Sequence, residues 1–145
     1  MSDPILVPVD VEFEASWRLS MTAAREEALR RGAEVHLLSV LPDFGMSIVE
    51  QYFPEGYEAQ IEAAALAEVN KLAENMLGDA VVWKAHVHQG DIVNTIMRYA
   101  EAMHCGLIVM AAHNPGERGF LAGTHADHVV HRAACSVLVV RAGTA

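Results

Sequence analysis

Basic residues are scarce in this sequence. Ten Lys and Arg stand against nineteen Asp and Glu, which gives a formal net charge of −9 at pH 7 with the eight His counted as neutral. Affinity for nucleic acids rests largely on Lys and Arg that neutralise phosphates, and attraction to anionic lipid surfaces rests on the same charges. The composition therefore argues against a nucleic-acid partner and against a protein of the membrane surface.

Cysteines and long apolar runs are also lacking. The two cysteines, Cys105 and Cys135, are too few for a disulfide framework and are predicted to be buried, reduced thiols. No window of about 18 consecutive apolar residues occurs, so no membrane-spanning helix is expected. Residues 1–4 lack the basic and apolar segments of a signal peptide. Together these features predict a cytoplasmic protein.

The length and the hydrophobic content predict one folded domain over residues 1–145. The chain has 145 residues, of which 52% are hydrophobic and 20% are charged. A chain of this size can bury an ordinary core, and this composition excludes intrinsic disorder.

Short apolar runs alternate with longer helical patterns along the whole chain. The predicted strands are Ile5–Val9, Val35–Leu41, Val81–Val87, Leu107–Ala111 and Ser136–Val140. The predicted helices cover about 15–31, 57–77, 90–103 and 123–133. This alternation predicts a parallel sheet with helices on both faces, which is a three-layer α/β sandwich. The long connection over 42–56 is open to three interpretations: a lid, a partner surface, or packing over the edge of the sheet.

Ligands of such sheets bind beyond the carboxyl ends of the strands, which makes the residues after each strand the candidate site. Asp10 follows the first strand. Its carboxylate can accept hydrogen bonds from ribose hydroxyls, hold a divalent cation such as Mg²⁺ through water, or cap the next helix.

The connection after the fourth strand leads through a glycine-containing loop to a helix that begins at Gly123-Thr124. The N–H groups of a first helical turn have no partner within the helix, and a glycine and a hydroxyl there favour a bound phosphate. The other interpretation is a glycine-rich turn with Thr124 as its cap. Neither G-x-G-x-x-G after the first strand nor G-x-x-x-x-G-K-[ST] occurs.

The eight histidines do not form a recognisable metal site. His125, His128 and His131 lie at positions i, i+3 and i+6 of the last helix, so the first and last are rotated by about 240° from one another. Three ligands placed in this way cannot converge on one ion, and a structural zinc site is not expected.

Several of these segments together resemble the universal stress protein family over nearly the whole chain. The similar segments are 5–10 (ILVPVD), 87–91 (VHQGD), the loop that ends in Gly123-Thr124, and 129–141 (VVHRAACSVLVVR). The resemblance implies an adenine-nucleotide α-hydrolase-like fold whose strand order is 3-2-1-4-5. It also implies that the ligand is ATP, ADP or AMP, and that Asp10 can hold Mg²⁺ through water. A homodimer formed through the C-terminal strand is implied as well.

The sequence departs from the ATP-binding pattern G-x2-G-x9-G-[ST] of that family. Ala111 and Asn114 stand at the first two glycine positions, and eight residues separate Asn114 from Gly123. The shortened loop with His113 and Pro115 resembles a subgroup of small proteobacterial stress proteins that includes ATP-binding members. Asn tolerates positive φ better than most residues, so Asn114 can keep the turn.

Position by position, the resemblance implies a nucleotide site at the carboxyl edge of the sheet. Its implied residues are Pro8, Val9 and Asp10 at the ribose, Val40 at the adenine, Gly90 near the adenosine, Ala111, His113 and Asn114 in the phosphate loop, and Gly123, Thr124, His125 and Ala126 at the phosphates. For His125, an exposed position on the helix is the competing interpretation.

The function implied is that of an ATP-binding regulatory module of the stress response with an unidentified protein partner. It is not expected to be an enzyme, since no general base accompanies the phosphate loop and Arg118 is the one basic candidate there. Slow ATP hydrolysis or autophosphorylation stays open. The alternatives are a dimeric interaction module that has lost nucleotide binding and a nucleotide-dependent enzyme on the same fold.

Overall fold

A parallel five-stranded sheet forms the centre of the molecule. The computed structural model describes residues 2–41, 56–112 and 123–141. Within these segments the elements are β1 (Ile5–Pro8), α1 (Glu14–Arg31), β2 (Val35–Leu41), α2 (Tyr57–Met76), β3 (Trp83–Gln89), α3 (Ile92–Ala102), β4 (Leu107–Ala111), α4 (Gly123–Arg132) and β5 (Ser136–Val140). The strand order is β3-β2-β1-β4-β5, which confirms the predicted fold.

The central position of β1 explains its composition. Ile5 is level with Val35 of β2 on one side and with Leu107 of β4 on the other, and all four residues of β1 are buried. A strand covered on both faces needs apolar residues at every position, which is the pattern of β1 and β4.

Two apolar clusters lie on opposite faces of the sheet. One contains Ile5 and Val7 of β1 together with Met21 of α1 and residues of α2. The other contains Leu6 of β1 and Ile96 of α3, together with residues of α4. Alternate residues of β1 thus point into different helical layers, as the side-chain period of two requires. This arrangement is the predicted three-layer sandwich.

The strand β3 lies two residues later in the chain than predicted. It runs from Trp83 to Gln89, whereas the apolar run suggested Val81–Val87. Its register with β2 pairs Val35 with Trp83 and Leu41 with Gln89. Val82 lies before the strand and is 71% exposed. At this edge of the sheet, pairing with β2 determines the strand and hydrophobicity does not.

Several predicted features lie outside the described residues. They include all of the connection over 42–56 except Gly56, and the loop residues His113, Asn114 and Arg118. Among the helices that the structure does describe, none has the length and apolar character needed to cross a membrane.

Candidate functional site

The residues that follow β1 sit at the carboxyl edge of the sheet. Pro8 and Val9 are buried, and the Val9 N–H donates to the Leu38 carbonyl at 2.9 Å, which extends the pairing of β1 with β2 by one residue. The chain then leaves the sheet at Asp10, which is half-buried. Asp10 therefore stands where the sheet ends and the turn into α1 begins.

The side chain of Asp10 is held by the turn and does not cap α1. Its Oδ1 accepts the N–H of Glu12 at 3.2 Å, and its carbonyl accepts the N–H of Phe13 at 3.0 Å. The N-cap of α1 is Phe13, without a side-chain cap. Of the three roles considered for Asp10, capping of the next helix is thus not the one observed. The carboxylate is oriented at the edge of the sheet by its own turn.

The ends of β2 and β3 are joined at Gly90. The Gly90 N–H donates to the Leu41 carbonyl at 3.0 Å. Leu41 directly follows Val40, which is 6% exposed. Gly90 has a φ of 144°, and a Cβ built there would lie 3.3 Å from Oγ1 of Thr95. Since L side chains rarely adopt this φ, the backbone requires glycine at the point where the chain turns from β3 into α3.

Two helices of the same face begin at this edge, and their first residues interact. Asp91 is the N-cap of α3, and its Oδ2 accepts the N–H of Asn94 at 3.0 Å. His125 lies in the first turn of α4. Partial burial lowers the pKa of His125, and the neighbouring His128 lowers it further, while the negative charge of Asp91 acts in the opposite direction. The lowered pKa favours the neutral imidazole near pH 7.

One nitrogen of His125 is left without a partner. His125 as a whole is half-buried, but its Nδ1 is fully buried and has no hydrogen-bond partner among the described residues. A buried polar atom without a partner costs about 1–3 kcal/mol. Such an atom in the first turn of a helix at the carboxyl edge of the sheet is a candidate for contact with a ligand.

The remaining predicted positions fall on the same edge. Ala111 is the last residue of β4 and is fully buried, and Ala126 is 4% exposed. Val40, Met110 and Ala126 belong to one apolar cluster, which places the ends of β2 and β4 beside the first turn of α4. Gly123 and Thr124 open α4. The fold thus brings ten of the twelve predicted residues to one edge, and His113 and Asn114 lie outside the description.

Sequence reasoning identified Asp91 as part of a helix start but missed it as a neighbour of His125. The available signal was topological. Helices on one face of a parallel sheet all begin at its carboxyl edge, so the residues that open α3 and α4 should approach each other. Thr95 was missed as well; it is 1% exposed and lies beneath Gly90.

The described residues include no group of three or more His, Cys, Asp or Glu side chains that could hold a metal ion. Mg²⁺ binds proteins through one or two carboxylates together with water and substrate phosphates, and a single carboxylate at Asp10 fits that mode of binding. A metal there would depend on phosphate oxygens of a ligand for the rest of its coordination.

The comparisons with known proteins agree on one family. The model of the universal stress protein family matches residues 1–141. The universal stress protein UspA from Lactobacillus plantarum is 26% identical, with a TM-score of 0.71, over 96% of this chain and 97% of that one.

Two further similar structures contain nucleotides. A universal stress protein solved in complex with cAMP is 22% identical, with a TM-score of 0.65, over 97% of this chain and 98% of that one. A universal stress protein from Archaeoglobus fulgidus, in complex with dAMP, is 20% identical, with a TM-score of 0.60, over 96% of this chain and 98% of that one. At identities of 20–22%, the structural similarity to these two proteins shows only that the fold is shared.

Proposed function

The chain belongs to the universal stress protein family, and from that premise we propose that it is an ATP-binding regulatory module of the stress response. The observation that carries the proposal is the position of the first turn of α4, which lies at the carboxyl edge of the sheet beside Asp91 and the end of β2. Its N–H groups have no partner within the helix and carry a partial positive charge. A polyphosphate can bind there despite the net negative charge of the protein.

The residues divide between the two ends of the nucleotide. Asp10 contacts the ribose hydroxyls or a water molecule bound to Mg²⁺, and Val40 offers backbone groups to the adenine. Gly90 permits close approach of the adenosine because it carries no side chain. Gly123, Thr124 and Ala126 hold the phosphates through the first turn of α4. The other residues of the proposed site are Pro8, Val9, Ala111, His113 and Asn114.

His125 adds a contact of its own. In the tautomer that carries hydrogen on Nδ1, this atom, which lacks a partner among the described residues, donates a hydrogen bond to a phosphate oxygen. Relatives bound to cAMP and dAMP support the class of ligand, and ATP is the proposed member of that class.

We also propose that residues 1–145 form one domain and that the protein is cytoplasmic. It would resemble the small proteobacterial stress proteins and form a homodimer through β5. No residue is assigned a catalytic role.

The first test is identification of nucleotide extracted from the purified protein by mass spectrometry, followed by calorimetry with ATP, ADP and AMP. Gly123→Val should abolish binding with the fold retained, because a branched side chain would occupy the space through which phosphate approaches the backbone. Ala64→Val, at an exposed position of α2, is the matched control. Wild-type affinity in Gly123→Val would show that the phosphates bind elsewhere.

The second candidate function is a dimeric interaction module without nucleotide. The observation in its favour is the pair Ala111 and Asn114, which replaces two glycines of the ATP-binding pattern. No ATP binding by calorimetry, combined with a stable dimer, would favour this function over the first.

A further inference from the structure

The two cysteines lie together at the end of the sheet opposite the candidate nucleotide site. Cys105 precedes β4 and Cys135 precedes β5, and both are free thiols. Both side chains belong to the apolar cluster beneath α3 and α4, and both line one cleft of about 520 Å³ between the end of α3 and the residues that lead into β5.

The strand register places their backbones within reach of each other. Leu107 pairs with Ser136, so Cys105 and Cys135 precede this pair by two residues and by one residue. Neighbouring strands lie about 4.8 Å apart and rise about 3.3 Å per residue, so positions offset by one residue on two extended neighbouring strands have Cα atoms about 6 Å apart. Disulfides span Cα separations of about 4.4–6.8 Å.

A turn before β4 directs Cys105 to the same face as Cys135. His104, two residues after the end of α3, has a φ of 53°, in the left-handed region, and the Cys105 N–H donates to the Ala100 carbonyl at 2.9 Å. The chain at Cys105 is therefore wrapped around the end of α3 and does not follow the alternation of an extended strand.

We propose that Cys105 and Cys135 form an intramolecular disulfide when a hydroperoxide enters this cleft. Cys135 is half-buried and reacts first: its thiolate attacks a peroxide oxygen, an S–O bond forms, the O–O bond breaks and hydroxide leaves. The sulfur of Cys105 then attacks the sulfenic acid, an S–S bond forms and water leaves. In sum, two thiols lose two electrons and two protons, and hydrogen peroxide is reduced to two molecules of water.

The two thiols are expected to oxidise slowly and to form a stable disulfide. Burial, and next the proximity of Cys135, raise the pKa of Cys105 to about 11, and burial raises the pKa of Cys135 as well. Little thiolate is present near pH 7, so oxidation is slow. Disulfides that are strong oxidants owe this to a stabilised thiolate in the reduced form, which is absent here, so this disulfide is not expected to be a strong oxidant.

The crosslink would close a loop over residues 105–135, which contains β4, the predicted phosphate loop and α4. Restricting such a loop in the unfolded chain raises thermal stability, here by about 5–10 °C for a domain of this size.

The test treats the full-length protein with hydrogen peroxide at pH 7 and at pH 9. The expected product is a monomer lighter by about 2 Da, with a Cys105–Cys135 linked peptide, faster formation at pH 9, and a higher melting temperature that dithiothreitol reverses. Cys135→Ser should lose the 2 Da product. An increase of about 16 or 32 Da with Cys105 still alkylatable, disulfide-linked dimers, or an unchanged mass at pH 9 would each overturn the proposal. The wild-type masses decide the matter even if a variant folds poorly.

Discussion

Nδ1 of His36 lies 2.8 Å from Nε2 of His86, and Nε2 of His36 lies 3.0 Å from Oε1 of Glu34. A hydrogen bond between two ring nitrogens needs one donor and one acceptor, so only one of the two facing nitrogens carries hydrogen. The Glu34 carboxylate can only accept, so Nε2 of His36 donates to it, which leaves Nδ1 of His36 to accept from Nε2 of His86.

The surroundings of His86 favour its neutral form. Burial lowers the pKa of His86, and the neighbouring His36 and Lys84 lower it further. Tyr99 of α3 packs edge-on against the rings of His86 and His88, and Glu62 of α2 lines a cleft together with His86.

We expect the protein to lose stability as the pH falls below about 6.5, the ordinary pKa of histidine in the unfolded chain. Because the folded pKa of His86 is depressed, the unfolded chain binds more protons in this range, and unfolding is favoured. The stability due to His86 is complete above pH 6.5 and declines below it. Melting temperatures at pH 5.5 and 7.5 should differ by a few degrees.

His86→Gln should reduce this pH dependence, because glutamine can bond to His36 but does not titrate. Part of the dependence should persist through His125, whose pKa is lowered in the same direction. His131→Gln, at an exposed position of α4, is the control. An equal pH dependence in wild type and His86→Gln would contradict the assignment.

Gly90→Ala should destabilise the fold more than Gly32→Ala. Both glycines have positive φ, 144° and 65°, but only Gly90 has a neighbour within 4 Å of the added Cβ, namely Thr95. Gly32→Ala measures the left-handed strain alone, about 1 kcal/mol. Gly90→Ala should cost about 1–3 kcal/mol by urea denaturation. It should also weaken ATP binding, whereas Gly32→Ala should leave the affinity unchanged.

The fold could be predicted from the sequence more completely than the contacts between side chains. The boundaries of β2, β4 and β5 followed from apolar runs, and the strand order followed from the family resemblance. The start of β3 was misplaced because an edge strand with His86 and His88 carries little hydrophobic signal. The His36–His86 bond depends on how β2 and β3 align, and no local pattern encodes that register.

Asp10→Asn should weaken ATP binding about tenfold, the usual effect of removing a charged partner from a hydrogen bond. Asparagine keeps an Oδ1 for the N–H of Glu12, so the turn should be retained. A larger loss with Mg²⁺ than without it would assign the carboxylate to the metal, and an equal loss would assign it to the ribose. Asp79→Asn, at an exposed position, is the control. Unchanged affinity would remove Asp10 from the site.

Val139→Lys should convert the proposed dimer to a monomer. β5 is an edge strand, and its residues include Leu138, which is 36% exposed. An apolar strand with one unpaired edge tends to pair with another chain, and a lysine there opposes pairing because its charge would be buried in the interface. Light scattering at several concentrations gives the mass. Val82→Lys, which alters an exposed valine before β3, should stay dimeric. A Val139→Lys protein that remains a dimer would place the interface away from β5.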